Sequence, residues 1–208
     1  MNQEQLQSEL LSIRHLMERS AKFISLSGLS GILAGCYALV GAALAYGVMK
    51  SAGGNNFSGG YTMDVSIAVQ LIPIALGVLL LSVGTAIWLS GRKAQKQKQH
   101  IWNPASRGLL KAVGVPLVAG GLFVLVLMGR GGYELIIAAC LIFYGLALVA
   151  GGQYTYSDVR GLGMLQVVLG LVAAWWPGYG LVCWSLGFGV LHILYGCIMY
   201  VKYDRRVG

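Results

Sequence analysis

Six apolar stretches, each long enough to cross a lipid bilayer, constrain this chain more than any other feature of its sequence. They run over residues 23–49, 65–90, 108–129, 133–151, 161–177 and 179–201. A membrane-spanning helix needs about 20 predominantly apolar residues. Only 11% of the 208 residues are charged, whereas about a quarter are charged in a typical soluble domain. The sequence therefore predicts an all-α, polytopic membrane protein with six transmembrane helices.

The basic residues predict the orientation of the six spans. If both termini are cytoplasmic and the spans alternate, only Lys50 and Arg130 of the 15 lysines and arginines lie outside. Cytoplasmic loops of membrane proteins carry an excess of such residues. The same placement explains the net charge of +8. Because these cations flank spans and no recognition motif accompanies them, we predict no binding to nucleic acid.

The densest basic cluster follows the second span directly. It contains Arg92, Lys93, Lys96 and Lys98. One function of such a cluster is to keep its loop in the cytoplasm. Anionic lipid headgroups would be attracted to the same residues, at around 1 kcal/mol for each nearby cation. The sequence leaves both roles open and predicts membrane lipids as partners.

The six spans form three predicted helical hairpins, and the second and third hairpins look like copies of each other. At an offset of 51 residues, Ile142 matches Ile193, and the pair Tyr144-Gly145 matches Tyr195-Gly196. In the first hairpin, Val83-Gly84 occupies the corresponding place at an offset of 61. Parallel internal repeats of this kind occur in several membrane folds.

Small residues follow one side of the first span. They alternate at spacings of three and four, which places them on one helix face: Gly28, Gly31, Gly35, Ala38 and Ala42. Membrane helices associate through close backbone approach at such faces, because lipid gives little hydrophobic reward for association. The face is therefore predicted to pack either against another span of the same chain or against a second copy. A homo-oligomer is expected.

Residues 1–22 are predicted to form a separate cytoplasmic amphipathic helix, and residues 23–208 the transmembrane bundle. Leu6, Leu10, Ile13 and Met17 make one apolar stripe at helical spacing. Such a helix can lie on the membrane surface, pack beneath the bundle, or pair with another copy. Because three glutamates weaken attachment to anionic lipid, docking of this helix on protein is favoured, and residues 2–19 are a candidate contact for a protein partner.

Ionisable groups at membrane depth are candidates for function, and His192 is the one titratable residue near the middle of a span. A buried histidine bonded to a neighbouring carbonyl or hydroxyl is one interpretation, and a proton or solute site is the other. Tyr37, Tyr144 and Tyr195 also lie within spans. Their hydroxyls need partners, so these tyrosines and His192 are predicted to line a shared polar site.

No catalytic, metal or cofactor site is predicted. The four cysteines lie in apolar segments without the spacing of metal ligands, and free cysteine packs as a small hydrophobe. The chain contains no nucleotide-binding glycine motif and no HExxH motif. His192 has no acidic residue at its depth to form a catalytic triad. The sequence therefore predicts a protein that is not an enzyme.

The stretches IRHLMERSAKFISLSGLSGILAG and SLGFGVLHILYGCIMYVKYDR resemble an uncharacterised bacterial family of six-span membrane proteins. The resemblance covers nearly the whole chain and implies a short N-terminal helix and a six-span organisation in a bacterial membrane, without an established activity. More loosely, GLVAAWWPGYGLVCWSLGFGVLHILYG is similar to the hairpins of HdeD-type acid-resistance membrane proteins. Only the third hairpin has their Pro-Gly turn, at Pro177-Gly178. That resemblance implies a stress role without a defined mechanism.

Three functional hypotheses follow from the sequence. The first is a non-enzymatic inner-membrane protein with a structural, stress-related or accessory role. The second is a small channel or transporter with a path near His192. The third is a regulatory subunit that holds a cytosolic partner through its N-terminal helix.

Overall fold

The computed structural model describes residues 5, 27–51, 65–96, 102 and 104–204 of the chain. All regular structure in these ranges is helical. We number the long helices α1 to α6, and the first five are α1 (Gly28–Ser51), α2 (Val65–Lys96), α3 (Pro104–Gly129), α4 (Ile136–Gly151) and α5 (Asp158–Trp175). A single 3₁₀ turn, Tyr133–Leu135, leads into α4, and another, Pro177–Tyr179, leads into the sixth helix.

The sixth helix, α6, covers residues 180–204 and changes its winding along its length. It consists of an α-helical turn, a π-helical stretch, a second α-helical stretch and a π-helical end, at Gly180–Trp184, Ser185–Leu191, His192–Met199 and Tyr200–Asp204. π-helical turns are rare and occur frequently at functional sites. The first π-helical stretch contains two buried glycines, Gly187 and Gly189.

The prediction of six membrane-length helices is confirmed. Each predicted apolar stretch coincides with one helix that is long and apolar enough to cross a membrane. With its leading 3₁₀ turn, the span that contains α4 has 19 residues, so the shortest span is α5, with 18 residues and the lowest mean hydropathy, 1.3. Pro73 and Pro116 both lie inside continuous helices, α2 and α3. The predicted N-terminal helix lies outside the described residues except for Gln5.

The helices pack in a row that begins at α2 and ends at α3. Helix α2 packs on α1, and α1 packs on α6. Helix α6 contacts α4 and α5, and α3 packs on α4. Helix α5 makes its most extensive contacts with α4, which belongs to the preceding predicted hairpin. Helix α6 makes its most extensive contacts with α1, which belongs to the first predicted hairpin. Tight packing therefore joins predicted hairpins to one another as well as helices within them.

Helices α1 and α6 approach so closely that glycine is required at their contact. A Cβ atom on Gly28 would lie 2.7 Å from the carbonyl oxygen of Gly196, and one on Gly35 would lie 2.6 Å from that of Gly189. A Cβ atom on Gly31 would lie 3.1 Å from the Cα atom of Gly196. The small residues at the start of α1 therefore lie against a span of the same chain.

Farther along α1, the small residues are covered by neighbouring helices. Ala38 and Ala42 are buried. Gly41 lies against Val78 and Ile74 of α2. Helix α1 thus packs between α6 and α2, and its small side chains let both neighbours approach.

Helices α4 and α5 form a second close contact through glycine. A Cβ atom on Gly145 would lie 2.6 Å from the carbonyl oxygen of Gly163, and one on Gly163 would lie 2.7 Å from that of Gly145. Gly170, about two helical turns farther along α5, meets Ile142 of α4. Leu141, Ala138, Ala173 and Cys183 form the buried core between α4, α5 and α6.

Candidate functional site

His192 begins the second α-helical stretch of α6 and is the centre of a buried hydrogen-bonded cluster. Only 7% of its surface is exposed. Its Nδ1 atom lies 2.9 Å from the carbonyl oxygen of Gly187, and its Nε2 atom lies 2.8 Å from the hydroxyl oxygen of Tyr144 on α4. A carbonyl oxygen only accepts hydrogen bonds. In the neutral imidazole Nδ1 therefore donates, and Nε2 accepts a hydrogen bond from the Tyr144 hydroxyl.

Gln166 of α5 joins the same cluster and is completely buried. Its Nε2 atom donates a hydrogen bond of 2.7 Å to the carbonyl oxygen of Gly187. That oxygen thus accepts from both Gln166 and His192. The Gln166 Oε1 atom is buried and has no hydrogen-bond partner among the described residues. We call Tyr144, Gln166, Gly187 and His192 the histidine cluster; it connects α4, α5 and α6.

Gly187 is fitted to this cluster by its lack of a side chain. A Cβ atom there would lie 2.6 Å from Gln166 Oε1 and 2.7 Å from a methyl group of Leu141. Because the wider turns of the π-helical stretch contain this glycine, its carbonyl group can face the side chains of Gln166 and His192 at short range. The cluster therefore depends on the local winding of α6.

Aromatic rings enclose the histidine cluster on one side. The Phe188 ring lies 5.9 Å from the His192 ring and 5.1 Å from the Tyr144 ring, measured between centroids. The Trp184 ring lies 4.5 Å from that of Phe188. These rings are apolar neighbours of the imidazole and keep it within the bundle.

The four side chains predicted to form one polar site occupy different surroundings. His192 and Tyr144 are hydrogen-bonded to each other. The Tyr195 hydroxyl is buried one turn after His192 and has no hydrogen-bond partner in the described part of the chain. Tyr37 is half-buried on α1 and does not belong to the histidine cluster.

The sequence analysis missed two members of the cluster, Gly187, which contributes its carbonyl group, and Gln166, which contributes its side chain. The signal for Gln166 was available, because it is an uncharged polar residue in the interior of an apolar span. Gln166 is neither ionisable nor a tyrosine, so the rules that selected His192 and Tyr144 did not select it. Uncharged polar side chains also form hydrogen bonds between membrane helices, and this rule would have selected Gln166.

A second polar contact joins the beginning of α5 to the end of α6. The Lys202 ammonium group and the Tyr203 hydroxyl both donate to the same oxygen of Asp158, at 2.8 and 3.0 Å. The Tyr203 ring stacks on that of Tyr156, with centroids 3.9 Å apart. This contact is partly exposed and fixes the loop between α4 and α5 against α6.

The described members of the predicted lipid-binding cluster lie at the end of α2. Arg92 is exposed and its guanidinium lies 4.1 Å from the centre of the Trp88 ring. The Lys93 ammonium lies 5.8 Å from the centre of the Tyr156 ring. Lys96 is exposed, and Lys98 lies outside the described residues.

The described residues contain no group of metal ligands and no disulfide. No group of three histidine, cysteine or acidic residues there could hold a metal ion. Cys36, Cys140, Cys183 and Cys197 are all free thiols.

The fold is that of a helical-bundle membrane protein with six candidate spans. Comparison of the chain with protein-family models, curated proteins and solved structures found no match. The resemblances noted from the sequence therefore stay predictions, and function must be argued from the geometry.

Proposed function

We propose that this chain is a non-enzymatic multi-pass protein of the bacterial inner membrane with a structural or accessory role. The observation that supports this proposal is the bonding of His192. Both of its ring nitrogens are used within the bundle, by Gly187 and Tyr144. A general acid or base must reach its substrate with one of these atoms. The histidine cluster is better suited to holding α4, α5 and α6 together.

The proposed orientation has both termini in the cytoplasm. It is supported by the basic residues near the ends of the described helices. Arg92, Lys93 and Lys96 at the end of α2 and Lys202 at the end of α6 would all lie on the cytoplasmic side. Anionic headgroups of the inner leaflet would then be available to the exposed cations of α2.

Reconstitution into proteoliposomes tests this proposal. We expect the flux of protons, small ions and neutral solutes to equal that of empty liposomes. We also expect Gln166→Leu to lower the free energy of unfolding, because α5 then loses its hydrogen bond to α6. A flux that the wild-type chain supports and His192→Leu abolishes, in a variant with unchanged secondary structure, would contradict the accessory role.

Transport near His192 is the second candidate function, and one specific observation favours it. Gln166 Oε1, which can only accept, and the Tyr195 hydroxyl, which can donate and accept, are buried without a hydrogen-bond partner among the described residues. Such atoms are costly to bury unless something satisfies them, and a passing polar solute or water would do so. This candidate predicts the flux that the first excludes, so the same proteoliposome experiment separates them.

The regulatory-subunit hypothesis depends on residues 2–19, of which the structure describes only Gln5. It stays a prediction. Deletion of residues 2–19 should then remove a co-purifying protein while leaving the helical content of the bundle unchanged.

A further inference from the structure

The two glycine contacts of the bundle are the same interface formed twice. The Cβ position of Gly163 lies 2.7 Å from the oxygen of Gly145, and that of Gly28 lies 2.7 Å from the oxygen of Gly196. Gly145 and Gly196 are related by the repeat offset of 51 residues. Helix α4 therefore uses the same position towards α5 as α6 uses towards α1.

The correspondence extends to a second pair of positions. The Cβ position of Gly170 lies 2.6 Å from Cγ1 of Ile142, and that of Gly35 lies 2.6 Å from Cγ1 of Ile193. Gly163 and Gly170 are seven residues apart, as are Gly28 and Gly35. We call this arrangement the repeated crossing. In it, the second helix of one hairpin packs on the first helix of another.

A third set of residues has the same pattern but no contact. Helix α2 is the second helix of its hairpin, and Gly77 and Gly84 match Ala138 and Gly145 at the offset of 61. Helix α3 is the first helix of its hairpin, and its Ala112 and Ala119 match Gly163 and Gly170 at the offset of 51. The glycine positions of the repeated crossing are thus occupied by glycine or alanine in α2 and α3, and the isoleucine position by Leu81 in α2.

The two glycines of this set on α2 have open surroundings, and on α3 Ala119 is exposed and Ala112 is half-buried. A Cβ atom on Gly77 or Gly84 would have no atom within 4 Å apart from its own helix. Leu80 and Ile87, on the same side of α2, are 71% and 70% exposed. Val115, between Ala112 and Ala119 on α3, is 73% exposed. In the described part of the chain, α2 and α3 form no extensive contact with each other.

We propose that a second copy of the chain covers these faces, with α3 of each copy packed on α2 of the other. The two crossings already formed indicate which helix covers α2. In each of them, the glycine face of the second helix of a hairpin (α4 or α6) packs on the first helix of another hairpin (α5 or α1). Helix α3 is the one first helix among the described spans whose matching face is open. Since α2 and α3 are the two ends of the packed row, this dimer continues the existing interfaces around a twofold axis.

Cysteine crosslinking in membranes tests the proposed contact. Gly84 and Ala112 correspond to Gly145 and Gly163, whose backbones touch. In a background with Cys36, Cys140, Cys183 and Cys197 replaced by alanine, Gly84→Cys is placed in one tagged copy and Ala112→Cys in a differently tagged copy. Co-expression followed by oxidation is expected to give a disulfide-linked dimer that carries both tags.

Gly114 provides the matched control on α3. It has the same open surroundings as Gly84 but lies two residues from Ala112, and hence about 200° around the helix. Gly84→Cys combined with Gly114→Cys should lose the crosslink. Equal crosslinking of the two pairs would overturn the proposed face.

Two further measurements distinguish a contact between two copies from a contact between α2 and α3 of one chain. A chain that carries both Gly84→Cys and Ala112→Cys should crosslink between copies. A crosslink within one chain would mean that the bundle closes on itself, and would overturn the dimer. Gly84→Leu should reduce the dimer fraction counted by single-molecule photobleaching in liposomes, while Gly114→Leu leaves it unchanged. A wild-type chain that is monomeric in liposomes would refute the proposal.

Discussion

At the scale of single residues, the hydrogen bonds of His192 define its state and its surroundings. Its Nδ1 proton faces a backbone carbonyl that cannot change roles, and this fixes Nε2 as an acceptor for Tyr144. The position of His192 in the middle of a span was evident from the sequence. The hydrogen-bond partners of His192 were not evident from the sequence. One lies on α4, and the other is a carbonyl group in a π-helical stretch that no sequence pattern predicts.

Removal of the Tyr144 hydroxyl tests the strength of this bond. Tyr144→Phe is expected to lower the free energy of unfolding by about 0.6 kcal/mol, and by no more than about 1.7 kcal/mol, the range for hydrogen bonds between membrane helices. Unfolding in bicelles measures the change. Tyr37→Phe is the control, because Tyr37 does not belong to the histidine cluster, and an equal loss in both variants would contradict a special role for Tyr144.

Gly187 provides a steric test of the same cluster. In Gly187→Ala the added methyl group would meet Gln166 Oε1 and Leu141 at less than 3 Å. Overpacking of this kind costs about 1–3 kcal/mol. We expect lower thermal stability and a smaller effect in a Gln166→Ala background, where one of the two clashing groups is gone. Wild-type stability of Gly187→Ala would show that the cluster is looser than its distances indicate.

At the scale of helices, close approach rather than apolarity determines which spans are neighbours. The spans have similar composition, so hydropathy identifies them without ordering them. Gly145 and Gly196 matched in the sequence repeat, but their contacts with Gly163 and Gly28 depend on which helix lies opposite. The sequence left the partner of the small face on α1 open between a span of the same chain and a second copy.

Paired alanine substitutions measure the contribution of this close approach. In Gly145→Ala the methyl group would lie 2.6 Å from the Gly163 oxygen, a backbone atom that cannot move aside easily. We expect a destabilisation of about 1–3 kcal/mol. Gly121→Ala on α3 has open space around it and should be neutral or stabilise the helix by up to about 1 kcal/mol. Thermal unfolding in detergent compares them, and equal behaviour would refute the steric argument.

At the scale of the whole molecule, the charge distribution predicts which ends of the spans face the cytoplasm. Cysteine labelling tests this in a background without the four native cysteines. Trp176 lies in the turn between α5 and α6, and Ser157 lies in the loop between α4 and α5; both are exposed. We expect an impermeant maleimide to label Trp176→Cys on intact spheroplasts and Ser157→Cys only after permeabilisation. The reverse pattern would invert the proposed topology.

The sequence by itself determined the class of protein and the number of its spans. Long apolar stretches that cross lipid form helices, because a backbone in lipid must satisfy its hydrogen bonds within each segment. The tertiary structure decided which helices touch, how α6 changes to π-helical winding, and that Gln166 of α5 donates to the Gly187 carbonyl group of α6. These features depend on distances of a few ångströms between residues far apart in the chain. Local pattern carries no information at that range, so only the packed helices define them.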